Sequence, residues 1–462
     1  MGHPTGTANR QDHRPGAGRR SVRALDKLWL GSGIGMPERQ GREHVWWTRK
    51  APGMPRAWHA ARTLGDSAPS LLPAMPEDMA AVRLSPNGRL IAFAVDGPQS
   101  GPRQWKLFDR RAGRLLDWTA ADARRGTGAV WRPDSGALLY IQGGDRDSVV
   151  ERAVDSPAAV PIATGIDAPD ATRLQLLSYD AGAGAFLVAG KDDVRRPYVW
   201  RLVNLAAPRL EPVVAIPGAH FTPFHADARR TLLLTDHEAP NGKIIAVSHG
   251  PAAKGWRTVA AGTDQGKFEE AAWTGDGVAV RVQRPLYREA LWYPAGGGKS
   301  VAYRLPHHGT ISGIAAGDAG SVLLDYSATA APRGIWRASH RSRPARPTLT
   351  PSLQFDTGAY RTRTDEIVTA QGARIPLLIT EPRSLRGPAP VFLYVNSYEG
   401  LSPAFAATLA FWLQRTGGVS FPSGSMTAAS AVWPGRECRA PAASRRPSTI
   451  STPSIGMWFP AG

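Results

Sequence analysis

Apolar residues in this chain fall in short bursts, each bounded by Gly, Pro, Asp or Asn. From Leu64 onward the bursts recur as a unit. Pro86-Asn-Gly-Arg-Leu-Ile-Ala-Phe93 lines up with Pro133-Asp-Ser-Gly-Ala-Leu-Leu-Tyr140, in each case a polar turn feeding an apolar strand. The same shape returns at Ala185–Val188, Asp227–Leu234, Gly275–Val280 and Gly317–Leu324, at spacings of about 42 to 48 residues, the length of a four-stranded propeller blade. One such blade cannot cover both of its faces, so it must stack on neighbours around a channel. The pattern predicts a mainly-β chain with six recognisable β-propeller blades over residues 64–358. A β-sandwich array is the alternative that the same hairpins allow.

Residues 1–63 show no sustained period, and Trp29, Trp46, Trp47 and Trp58 sit in no amphipathic pattern. This stretch is expected to be poorly ordered, which leaves no visible first blade to close the ring. After Asp356 the texture changes. Tyr360–Thr369, Ala373–Thr380 and Pro390–Val395 read as strands, with a hairpin turn at Gln371-Gly372. Val391–Val395 is continuously apolar, as in a strand buried on both faces. A helix is predicted next, capped by Ser402 with Pro403 in its first turn and stopped at Gly417-Gly418. Phe405, Leu409, Trp412 and Leu413 give it one apolar face. Residues 359–419 therefore read as the incomplete start of an α/β domain, and that apolar face and strand are expected to lie uncovered.

Residues 420–462 are rich in Ser, Pro, Ala, Gly and Arg and read as a disordered tail. Pro422 and its polar neighbours argue against a strand at Ser420–Ser425. The abrupt change resembles a shift of reading frame.

Composition alters this picture little. The 462 residues are 42% hydrophobic and 20% charged, ordinary for a folded chain. The formal net charge of +18 suggests nucleic acid, but it is concentrated at the ends: residues 1–63 hold twelve Lys/Arg against four Asp/Glu. Solvated basic tails account for that, and no nucleic-acid partner is expected. No apolar run is long enough to span a membrane and no signal peptide is visible, so no membrane partner is expected and the compartment is left open, cytoplasmic by default.

Candidate chemistry is sparse. Gly296-Gly-Gly-Lys-Ser300 lacks the first glycine of a phosphate loop, since position 293 is Tyr293, and it reads as a hairpin tip. His307-His308 are adjacent, so on a strand they would face opposite ways; they read as turn residues rather than metal ligands. Cys438, the single cysteine, has no His after it and reads as a bystander. An α/β-type serine hydrolase needs a G-x-S-x-G elbow followed by an acid and a base. The sequence has no such elbow: Gly31-Ser-Gly33 and Ser423-Gly-Ser425 have the wrong spacing, and residues 420–462 contain no Asp and no His. No catalytic, cofactor-binding or metal residue is assigned, and no cofactor is expected.

Several segments together resemble the prolyl oligopeptidase family of serine peptidases. They are Leu84–Phe93, Leu233–Lys243 with its Thr-x-x-x-Ala-Pro-x-x-Lys spacing, Leu305–Ile314, Phe355–Tyr360 followed by Gln371–Pro376, and Pro390–Tyr394 with Gly417-Gly418. The resemblance covers roughly residues 64–419. It implies a seven-bladed propeller that restricts access to an α/β-hydrolase domain, with short proline-containing peptides as substrates. The sequence departs from the family at Asn396, where an oxyanion-holding Tyr is expected; Tyr398 lies close by. It departs again after Val419, where nucleophile, acid and base are absent. The chain thus reads as a peptidase homologue that carries the gating propeller and is inactive alone. A non-catalytic binding propeller is the alternative, as is a split enzyme completed by a separate chain.

Overall fold

The computed structural model describes residues 33–422 apart from short internal stretches, the longest being 164–172 and 394–402. Among the expectations above, those resting on Trp29, Gly31, Ser32, Asn396, Tyr398, Ser402, Ser423–Ser425 and Cys438 lie outside the described residues.

Each of the six expected blades is a four-stranded antiparallel meander of consecutive strands. They span Met79–Ala121, Ala129–Ala163, Arg173–Ala215, Phe221–Ala261, Lys267–Ala302 and Thr310–Leu349. The first strands of neighbouring blades touch one another, so the first strand of each lies innermost. A seventh sheet, Gly33–Leu71, lies between the last of these blades and the first. It is called blade 1 below, and the others blades 2 to 7.

Blade 1 corrects the expectation for residues 1–63, whose described part is folded. It carries five strands, because its inner strand is broken into Gly33–Ile34 and Glu38–Gln40, both paired with Glu43–Arg49. Adjacent side chains on a strand point to opposite faces. Here Val45 packs toward blade 2 with Val82 and Phe93, while Trp46 packs toward blade 7 with Leu323 and Ile335. Both are at most 4% exposed. A sheet wedged between two others has two apolar faces and shows no alternation, which is why its sequence carried no period.

The other blades meet in the same way. Leu233 faces blade 4 and its neighbours Leu232 and Leu234 face blade 6. Tryptophan indoles add polar staples: Trp58 donates to the Met79 carbonyl at 3.1 Å, Trp118 to Ala153 at 3.0 Å and Trp131 to Arg83 at 2.9 Å.

Among the described residues no strand is exchanged between blades 1 and 7, and side-chain contacts hold the seam. Besides the Trp46–Leu323 cluster, the Arg337 guanidinium donates to the Leu64 carbonyl at 2.7 Å. The carboxylate of Asp318 in blade 7 takes Arg39 and the fully buried His44 of blade 1, with His44 Nε2 at 3.1 and 3.2 Å.

Beyond the ring, four strands form a terminal sheet in the order Tyr360–Val368, Arg374–Pro382, Gly418–Pro422, Val391–Leu393. The first three pair antiparallel and the last two parallel. Gly418–Pro422 corrects the expectation that Pro422 forbids a strand there. Proline is the last residue of the strand, so its missing N–H removes at most one terminal ladder bond. Helix α1, Ala407–Arg415, starts later than expected, because Pro403–Ala406 is held in a non-helical path against blade 7. There Thr310 Oγ1 donates to the Pro403 carbonyl at 3.0 Å and the Phe405 N–H donates to Ser327 Oγ at 2.9 Å.

Candidate functional site

The terminal sheet marks one end of the propeller. Leu286 and Ala330 lie in the turns between second and third strands of blades 6 and 7, and they pack against Tyr360, Leu378, Leu409 and Leu413. The apolar face of the helix is therefore covered, contrary to expectation. The expected exposure survives only in part: Val391 is 51% exposed.

Polar contacts fasten the same junction. His307, 5% exposed, sits in the bend between blades 6 and 7. Its Nε2 lies 3.1 Å from the Thr357 carbonyl, which fixes a proton there, and its Nδ1 lies 3.1 Å from Thr362 Oγ1. Burial pushes the imidazole below its ordinary value, partly opposed by the Thr357 carbonyl. The Tyr326 hydroxyl donates to the His307 carbonyl at 2.8 Å and accepts from the His307 N–H at 3.2 Å. Burial raises that hydroxyl far above the ordinary tyrosine range. His308 lies over the Tyr287 ring at 4.1 Å, and burial lowers its imidazole too. His307 thus joins propeller to sheet while His308 packs on blade 6, and no group of three or more His, Cys, Asp or Glu suited to a metal occurs among the described residues.

On this same end of the ring, blades 5 and 6, with Arg195 of blade 4 at the edge, line an open cleft of about 850 Å³. Its rim is the Asp236–Gly242 turn between the second and third strands of blade 5, the counterpart of the turns that meet the terminal sheet. That turn belongs to the Leu233–Lys243 segment. It folds tightly through bonds from Ala239 N–H to the Asp236 carbonyl and from Gly242 N–H to the Ala239 carbonyl. Gly242 has φ +77° and leaves room for Phe268, whose Cβ would stand 3.0 Å from an added side-chain carbon. Glu238 at the tip has φ +48°, an uncommon conformation for a residue with a side chain.

Most charges in the cleft are paired. Arg195 meets Asp236 at 2.7 Å, and Asp236 also accepts the His220 N–H at 2.7 Å. Glu269 holds Arg288 at 2.7 Å and Arg281 at 3.2 Å. Ile216, Pro217, Pro240 and Phe268 supply apolar wall. These residues come from three blades and share no local motif, so nothing in the sequence signals them beyond the Leu233–Lys243 segment. Gly296–Lys299 forms a hairpin tip between Arg288–Pro294 and Val301–Ala302, as expected, and takes no part in the cleft.

Among the described residues the blades form a ring with no strand exchanged at the seam, and a sheet-and-helix unit docks on one end of this β-propeller. Residues 42–348 match the N-terminal β-propeller domain of prolyl oligopeptidase, and the chain belongs to that family. Solved structures agree in fold. A structure from a study of two prolyl endopeptidases superposes with a TM-score of 0.77 at 18% identity, covering 88% of this chain and 62% of that one. Prolyl oligopeptidase B from Galerina marginata gives 0.71 at 14%, covering 87% and 64%. Oligopeptidase B from Leishmania major gives 0.62 at 15%, covering 88% and 63%. The chain thus spans less than two thirds of the length of these relatives. No curated protein matches the sequence.

Proposed function

We propose that this chain is the peptide-gating part of a prolyl oligopeptidase-type serine endopeptidase: its cleft end holds short peptides, and by itself it does not cleave them. We read the terminal sheet as the opening of an α/β-hydrolase domain, since a hairpin, a parallel pair and an intervening helix form such a unit. The observation that carries the reading is an imbalance. The ring is closed and its cleft is formed, yet the sequence has no G-x-S-x-G elbow, and residues 420–462 hold neither Asp nor His. Acyl transfer needs a nucleophile, a base and an orienting acid together.

The test uses the full chain with a Gly-Pro p-nitroanilide substrate, a fluorophosphonate serine probe and a fluorescent short peptide. The reading expects no hydrolysis above buffer, no covalent labelling, and saturable peptide binding. Hydrolysis blocked by the probe would overturn the inactive assignment, and absence of peptide binding would overturn the peptide-holding one. A second reading, a split enzyme, draws support from the outer strand Val391–Leu393, whose outer edge is unpaired among the described residues and could accept another strand. Addition of the separately expressed hydrolase domain of a prolyl endopeptidase would then produce hydrolysis.

A further inference from the structure

The charges of the cleft between blades 5 and 6 do not balance. Arg195 is neutralised by Asp236, Glu269 by two arginines, and the exposed Glu238 stands 4.0 Å from Lys243. Lys267, the first residue of the inner strand of blade 6, is exposed in the cleft and makes no ion pair or side-chain hydrogen bond among the described residues. We propose that the cleft takes a peptide carboxylate, the free C-terminus of a short peptide, with Lys267 as its counter-ion. The inference rests on the peptide-holding reading above and names the feature of the peptide that is recognised.

The chemistry selects the ligand. One unspent ammonium matches one negative charge. Phosphate carries close to two, and planar recognition of it favours an arginine fork, whereas the guanidinium of Arg195 is committed to Asp236. Lys267 lines the cleft together with apolar residues, and a carboxylate paired beside apolar surface is less screened than on an open surface. Pro217, Pro240 and Phe268 can take the last side chain of the peptide while its carboxylate meets Lys267. An internal Glu or Asp would bring a further peptide group against the same apolar wall.

The test measures anisotropy of an N-terminally labelled Gly-Pro-Ala-Phe peptide with the full chain. Three forms are compared: free acid, C-terminal amide, and an amide with an internal Glu. The free acid is expected to bind about three- to tenfold more tightly than the amide, the range of one partly screened charge pair, with the difference fading at high salt. Lys267→Gln should bring the acid down to the amide and leave the amide unchanged, while Lys267→Arg keeps the preference. Equal binding of acid and amide, or a preference that survives Lys267→Gln, overturns the inference while peptide binding stands. An internal-Glu amide that binds as well as the acid overturns the C-terminal assignment. Failure of every form to bind overturns the peptide-holding reading itself, and this inference with it.

Discussion

Blade 7 and the terminal sheet are both four-stranded, lie next to each other in the chain, and have opposite surroundings. Val322–Ala328 of blade 7 is buried along its whole length, with Leu323 and Leu324 at 0% exposure. Tyr360–Val368 is buried only at Tyr360, where it meets the propeller, and ends at Val368 with 58% exposure. Strand formation is thus a local matter, whereas the stability of a strand depends on what covers its two faces.

The largest difference should appear on truncating side chains at the two places. Leu324→Ala in blade 7 is expected to cost about 2–5 kcal/mol in urea unfolding, because a cavity opens in a layer with no room to collapse. Val391→Ala should stay within about 0.5 kcal/mol. Similar costs at the two positions would break the comparison.

The seam between blades 1 and 7 comes next in size. Among the described residues Asp318 is the only hydrogen-bond partner of the His44 ring, whose Nδ1 has none, and Asp318→Ala removes it. A buried polar group left unpaired costs about 1–3 kcal/mol, readable as a lower urea midpoint. Asp318→Asn keeps one acceptor and should cost less. An unchanged midpoint for Asp318→Ala would show that the apolar cluster closes the ring without help.

A smaller effect concerns pH. Burial is the largest cause that lowers the His44 and His307 imidazoles, His44 against the pull of Asp318 and Arg39 pushing the same way as burial. The folded chain then binds fewer protons than the unfolded one. The contribution of these groups is fully present above the unfolded value of 6.5 and is lost as pH falls through the lower folded values. The urea midpoint should therefore fall between pH 7 and 5. His307→Gln, which can still donate to the Thr357 carbonyl, should flatten that slope; a midpoint that rises on acidification would contradict the assignment.

What the sequence disclosed follows the range of the physics. Turns such as Ser85–Arg89 and Asp227–Arg230 were legible because their bonds are local: Asn87 Oδ1 accepts the Arg89 N–H at 3.0 Å, and Asp227 Oδ1 accepts the Arg229 N–H at 2.7 Å. Blade 1 was missed because Val45 and Trp46 are both core, facing different neighbours, and its inner strand is broken before Glu38. Gly418–Pro422 was missed because its pairing with Leu377–Thr380 is tertiary and outweighs a terminal proline. Of the cleft residues, only the Leu233–Lys243 segment stands out in the sequence, and it does so through its family resemblance. Nothing local signals Arg195, Lys267 and Glu269, which come together only because blades 4 to 6 stack side by side.

Residues 33–71 complete the ring and so frame the cleft end. Amide hydrogen exchange of the full chain, followed by mass spectrometry, tests this closure most directly. Peptides covering Glu43–Arg49 are predicted to exchange as slowly as those covering Val322–Ala328 across the seam, and Asp318→Ala should speed both. Complete exchange of Glu43–Arg49 within seconds, with Val322–Ala328 still protected, would show an open ring and contradict the account.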